Sequence, residues 1–101
     1  MISVTSTARR AVVSDAVIHP GELLAEELKV RGMTQRELAL AMGRPPQLIS
    51  EIVRGRRGIS AETALQLEAA LGTAAHIWVG LDADYRLALA QQRSSSRSAG
   101  G

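Results

Sequence analysis

The chain has 101 residues, a formal net charge of +2 and no cysteine, which allows one domain with a modest core and excludes disulfides and thiolate metal sites. Its two histidines, His19 and His76, lie far apart in sequence and make a poor start for a metal site. No apolar run is long enough to span a membrane, and MISVTSTARRAVVSDAV at the N-terminus lacks the apolar core of a signal peptide, so a cytoplasmic protein without a membrane partner is expected.

Residues 1–18 mix Ser, Thr, Val, Ala and Arg without a helical period and read as an N-terminal arm. The domain proper is expected over residues 19–92. Its first helix starts at Pro20, since proline suits the first helical position, where a backbone N–H would have no partner. Leu23, Leu24 and Leu28 form its apolar stripe, with Val30 near the end, and Gly32 stops it. A second helix opens at Thr34, with Glu37 three residues on as a capping box, and ends at Gly43. Leu38 and Met42 share its inner face, and Ala39 is small enough for another helix to cross closely. The third helix begins at Pro45-Pro46, with Pro45 in the capping slot because a residue before proline is pushed out of the helical region. A basic turn, RGRRG, follows. Ser60 caps a fourth helix containing Thr63, Leu65, Leu67 and Leu71, and Gly72 closes it. Thr73 is the expected cap of a fifth helix that carries Ile77, Trp78, Leu81, Tyr85 and Leu89 and ends near Gln92. Residues 93–101, RSSSRSAGG, have the composition of a disordered tail. Five helices with short connections and no strand alternation make an all-α bundle.

Helices two and three, joined by Gly43-Arg44-Pro45, have the helix-turn-helix arrangement, in which the second helix of the pair enters the major groove of DNA. At ~100° per residue, Ile49, Ile52 and Val53 cluster on a core side and Leu48 falls on the flank. Gln47, Ser50, Glu51 and Arg54 occupy the opposite side. Their chemistry suits base edges: Gln pairs with adenine, Glu accepts from cytosine and Arg grips guanine. The surrounding segment is basic, with Arg31, Arg36, Arg44, Arg54, Arg56 and Arg57 against Glu37 and Glu51. Gln35, at the start of helix two, and Arg36, Arg44, Arg56 and Arg57 are therefore assigned to phosphates.

Several marks then coincide in order: HPGE at 19–22, GMTQRELA at 32–39, IS at 49–50, the G-R-R-G-IS turn at 55–60, ETAL-L at 62–67, ALGT at 70–73, and Trp78 with Tyr85. On these, Ile18 to Ala90 resembles the HigA/VapI type of antitoxin in the Xre (Cro/C1-type) helix-turn-helix group. The resemblance implies a lambda-repressor-like fold and a homodimer that binds a double-stranded operator upstream of its own operon. It also implies a HigB-like toxin partner, a ribosome-dependent mRNA endonuclease. Carried onto this chain, its groove-reading positions are Pro46, Gln47 and Glu51, with Gln35 on phosphate. Two residues depart from the pattern. Arg44 takes a position often apolar in the group, and Pro45 one often held by a Ser or Thr cap, so the usual side-chain cap bond is lost.

Trp78 and Tyr85 share a face of the fifth helix with Leu81 and read as core or dimer contact; with Ile77 they make this helix the candidate dimer interface, which would set two reading helices about one DNA turn apart, ~34 Å. His19 is expected to pack or cap at the first helix. No nucleophile–base pair, metal cluster or phosphate loop is present, so neither an enzyme nor a cofactor or small-molecule substrate is expected. The other two readings are a stand-alone transcriptional regulator without a toxin and a helical protein-interaction module, which would show no salt-dependent affinity for any duplex.

Overall fold

The structure, a computed structural model, describes residues 18–100, with side chains described through Ser94. The arm assigned to residues 1–18 thus lies outside the described residues apart from Ile18. Five helices follow in order: α1 Pro20–Arg31, α2 Gln35–Met42, α3 Pro46–Val53, α4 Ala61–Leu71 and α5 Ala75–Gly100. Among the described residues no strand occurs. No helix there is long and apolar enough to cross a membrane.

Local chemistry sets most of the helix ends. The His19 imidazole caps α1, with Nδ1 accepting from the Gly21 N–H at 3.0 Å. Thr34 and Glu37 close a reciprocal capping box on α2. The Ser60 hydroxyl accepts from the Thr63 N–H at 3.1 Å at the start of α4. The carbonyl of Leu71, at the C-terminus of α4, accepts from the guanidinium of Arg31, a cation placed where the helix dipole is negative. The same arginine is paired with Glu27 one turn earlier at 3.1 Å.

α1 packs on α3 and α5, α2 on α3 and α4, and α4 on α5. Their shared core holds Leu24 and Leu28 of α1, Leu38, Ala39 and Met42 of α2, and Leu48, Ile49 and Ile52 of α3. Ile59, Leu67, Leu71 and Trp78 complete it from the C-terminal half. Each large apolar side chain buried this way contributes about 1.5–3 kcal/mol.

Several expectations are corrected by this packing. Leu48 is buried rather than flanking, and Val53 is only half-buried. The inner face of α3 is rotated toward Leu48 because α3 is wedged between α1 and α2. Val30 is 76% exposed, since it lies off the Leu24–Leu28 stripe, and Leu65 faces solvent as well. α5 starts at Ala75, so Thr73 stands before the cap position, and the first turn closes with the Ile77 N–H on the Ala74 carbonyl at 3.0 Å. α5 also continues past Gln92 to Gly100, through the segment assigned to a tail.

Candidate nucleic-acid interface

The turn between α2 and α3 fixes how α3 is presented. Gly43 adopts a left-handed conformation, φ 67°, which a residue with a Cβ rarely takes. It lets the Arg44 N–H turn back to the Ala39 carbonyl at 3.0 Å. Pro45 is extended, φ −65° and ψ 144°, and supplies no side-chain cap, as its chemistry requires. Its carbonyl accepts from Leu48 N–H at 3.1 Å and begins α3. With Leu48, Ile49 and Ile52 buried, Pro46, Gln47, Ser50, Glu51 and Arg54 lie on the outward side. Pro46, Gln47 and Arg54 are exposed, while Ser50 and Glu51 are half-buried.

These side chains are not independent. The Glu51 carboxylate accepts from Arg57 Nε at 2.8 Å through Oε1 and from Gln47 Nε2 at 3.3 Å through Oε2. The hydrogen bond from Arg57 holds the Glu51 carboxyl below the usual carboxylate range, partial desolvation opposes it, and the charge of Arg57, the Gln47 hydrogen bond and the charge of Arg56 add to the lowering. The pair is therefore present at neutral pH and is lost only as pH falls through that lowered value. Arg44, Pro45, Gln47, Leu48, Glu51 and Arg57 line one open groove of about 250 Å³ along α3. Arg44 is held there by Gln66 of α4, with Nη1 donating to Oε1 at 2.9 Å.

Gln35 sits at the first position of α2, half-buried, and Arg36 beside it is exposed. Arg54 and Arg56 are exposed, and among the described residues neither side chain forms an ion pair. The structure thus gathers Arg44, Gln47, Glu51 and Arg57 at one groove, while no side-chain bond ties Gln35, Arg36, Arg54 or Arg56 to it.

Behind the RGRRG turn lies a second cavity, of about 160 Å³, whose lining includes His19, Arg56, Arg57, Tyr85 and Arg86. His19 packs against Tyr85, with ring centroids 5.5 Å apart. Gly58 leaves the space into which Arg86 reaches to pair with Asp82 at 2.9 Å. Gln66, Asp82 and Arg86 are not among the residues singled out by their sequence context. Asp82 and Arg86 have the four-residue spacing of a helical ion pair, a signal available from the sequence. Gln66 carries no such mark.

The proposed dimer face is only partly at the surface. Trp78 is fully buried in the core, which removes it from any dimer contact. Tyr85 is half-buried against His19. Ile77, 43% exposed, and Leu81 instead join Ile18 and Leu23 in an open apolar groove edged by Glu22 and Glu26.

Residues 24–78 match the Helix-turn-helix family model. Virulence-associated protein I of Dichelobacter nodosus is 45% identical over 80 residues, which are 78% of this chain and 74% of the relative. The solved addiction module antidote protein of the HigA family from Coxiella burnetii is 36% identical, with 80% of this chain and 89% of that one covered and a TM-score of 0.74. The antitoxin HigA of Pseudomonas aeruginosa, solved with the higBA promoter, is 35% identical, with the same shares covered and a TM-score of 0.76. With five helices, the capped α2–turn–α3 unit and these relatives, the chain belongs to the Xre-type helix-turn-helix family, in the branch of virulence-associated protein I and the HigA antitoxins.

Proposed function

We propose that this protein is the DNA-binding antitoxin of a toxin–antitoxin pair, which represses its own operon and neutralises a HigB-like mRNA endonuclease. The observation that carries the DNA half is the outward side of α3, where Pro46, Gln47, Ser50, Glu51 and Arg54 are presented opposite the buried Leu48, Ile49 and Ile52. That helix would enter the major groove with Gln47 foremost, since base contacts concentrate near the N-terminus of a recognition helix. Gln35, through its backbone N–H at the start of α2, together with Arg36, Arg44 and Arg56, would hold phosphates. Replacing Arg56 by alanine should weaken binding to every sequence and flatten the slope of log K against log salt by roughly one unit. A slope that stays as in wild type would take Arg56 off the list of contacts.

Two copies are needed to read a two-fold site. Their contact is proposed at Ile77 and Leu81, with Ile18 and Leu23 beside them. Ile77→Glu should turn the dimer into a monomer in sedimentation, with unchanged helical content, and weaken operator binding by roughly tenfold or more. A variant that remains dimeric would move the interface elsewhere.

The toxin half draws on the antitoxin relatives, the GraA antitoxin at 36% identity among them. Co-expression with the neighbouring reading frame tests it: a stable complex of the two products is expected. Normal operator binding without a complex would leave a stand-alone repressor acting in the cytoplasm on its own promoter.

A further inference from the structure

Glu51 has both carboxylate oxygens engaged before any partner arrives, one by Arg57 and the other by Gln47. Each oxygen keeps a further lone pair, but the carboxylate's orientation is already set by these two bonds within the protein. Arg57 is in the opposite condition. Only its Nε–H is committed, and its side chain is 54% exposed. Among the described residues its Nη groups make no hydrogen bond, so the end-on edge of the guanidinium remains free to donate.

The position of Arg57 is not that of a helix neighbour. It lies six residues beyond Glu51 and returns to it because the chain leaves α3 through Gly55, which has a φ of 75°. The turn carries Arg57 back beside Glu51, in the second half of α3, and into the groove it shares with Gln47, which lies nearer the N-terminus where a recognition helix meets base edges. An arginine whose Nε is anchored by a carboxylate has its Nη pair set in one direction. A fork held that way matches the O6 and N7 acceptors of guanine. Arg56, next in the chain, is exposed and joined to no acid, which is the state expected of a phosphate contact.

We propose that Arg57 reads a guanine in the major groove, and that Glu51 is the positioning residue that aims it. The proposal rests on the DNA-binding reading above. It moves Arg57 from the phosphates to a base edge and Glu51 from base reader to support, with Gln47 bracing the second carboxylate oxygen.

A pool of randomised duplexes selected on the wild-type chain supplies the probe. Affinities are then measured for the selected duplex and for each of its single base-pair replacements. The proteins compared are wild type, Arg57→Ala, Glu51→Ala, Glu51→Gln and the double variant Arg57→Ala/Glu51→Ala, each checked for helical content by circular dichroism. One G·C pair should be worth roughly tenfold or more to the wild type. Arg57→Ala should erase the preference at that pair alone. Glu51→Ala should weaken the same preference and add nothing to the double variant. Glu51→Gln should retain part of it, because the amide oxygen can still accept from Arg57. Equal weakening on every duplex by Arg57→Ala, with a salt slope lowered by roughly one unit, would make Arg57 a phosphate contact and overturn the proposal. So would a Glu51→Ala effect at a different base pair from that of Arg57→Ala. A wild-type chain that selects no duplex overturns the DNA-binding reading itself, a separate and recognisable result.

Discussion

Gly21→Ala should destabilise the protein by on the order of 3 kcal/mol, read as a shift of the urea midpoint. A Cβ at this position would collide with the Ile52 carbonyl oxygen and would lie 2.7 Å from a carbon of the His19 ring. The ring could rotate, at the loss of its cap on α1, but the carbonyl belongs to the backbone near the end of α3 and cannot yield without moving that helix. Gly21 is therefore where α1 and α3 approach backbone to backbone, and the HPGE motif acquires a mechanical meaning. His19 caps the helix, Pro20 starts it and Gly21 lets it dock. Gly80→Ala is the matching control. It stands within α5 with open space where a Cβ would go, so alanine there should add about 0.5–1 kcal/mol by removing backbone freedom from the unfolded chain. A Gly21→Ala protein as stable as wild type would mean that α1 and α3 are not held at this separation.

Trp78→Ala should cost about 3–5 kcal/mol of folding stability, a loss measured at high protein concentration and again at high dilution. The indole is fully buried among residues of the common core, which it joins from α5. If Trp78 were instead a dimer contact, the variant would lose association and keep its unfolding free energy when dilute. The expected outcome is the reverse: the same large destabilisation at both concentrations.

The residues that were readable in the sequence are those whose structural role is local. Thr34 with Glu37, Gly43, Pro45-Pro46 and Ser60 act through neighbours within a few positions, and each end of α2, together with the starts of α3 and α4, falls where those side chains place it. Residues whose role depends on a distant partner were not readable in the same way. α3 has only eight residues, and its apolar set of Leu48, Ile49, Ile52 and Val53 covers too wide an arc to show which edge meets the core. The flanking helices α1 and α2 make that choice, in favour of Leu48. On α5, Ile77 and Trp78 are adjacent and both apolar, yet one lies on the surface groove and the other in the interior. The candidate reading side of α3 was visible residue by residue, because helical geometry puts Gln47, Ser50, Glu51 and Arg54 opposite the core. What joins Glu51 to Arg57 was hidden, because their spacing is set by a left-handed glycine and not by a helix.

α3 is expected to make this chain a sequence-selective DNA-binding protein. Fluorescence anisotropy over a salt series, with the duplex upstream of its own reading frame and a scrambled duplex of equal length, tests it directly. The expected result is tighter binding to the upstream duplex, a linear fall of log K with log salt on both, and loss of the preference in Gln47→Ala. Absence of salt-dependent affinity for any duplex would contradict it and leave a helical protein-interaction module in its place.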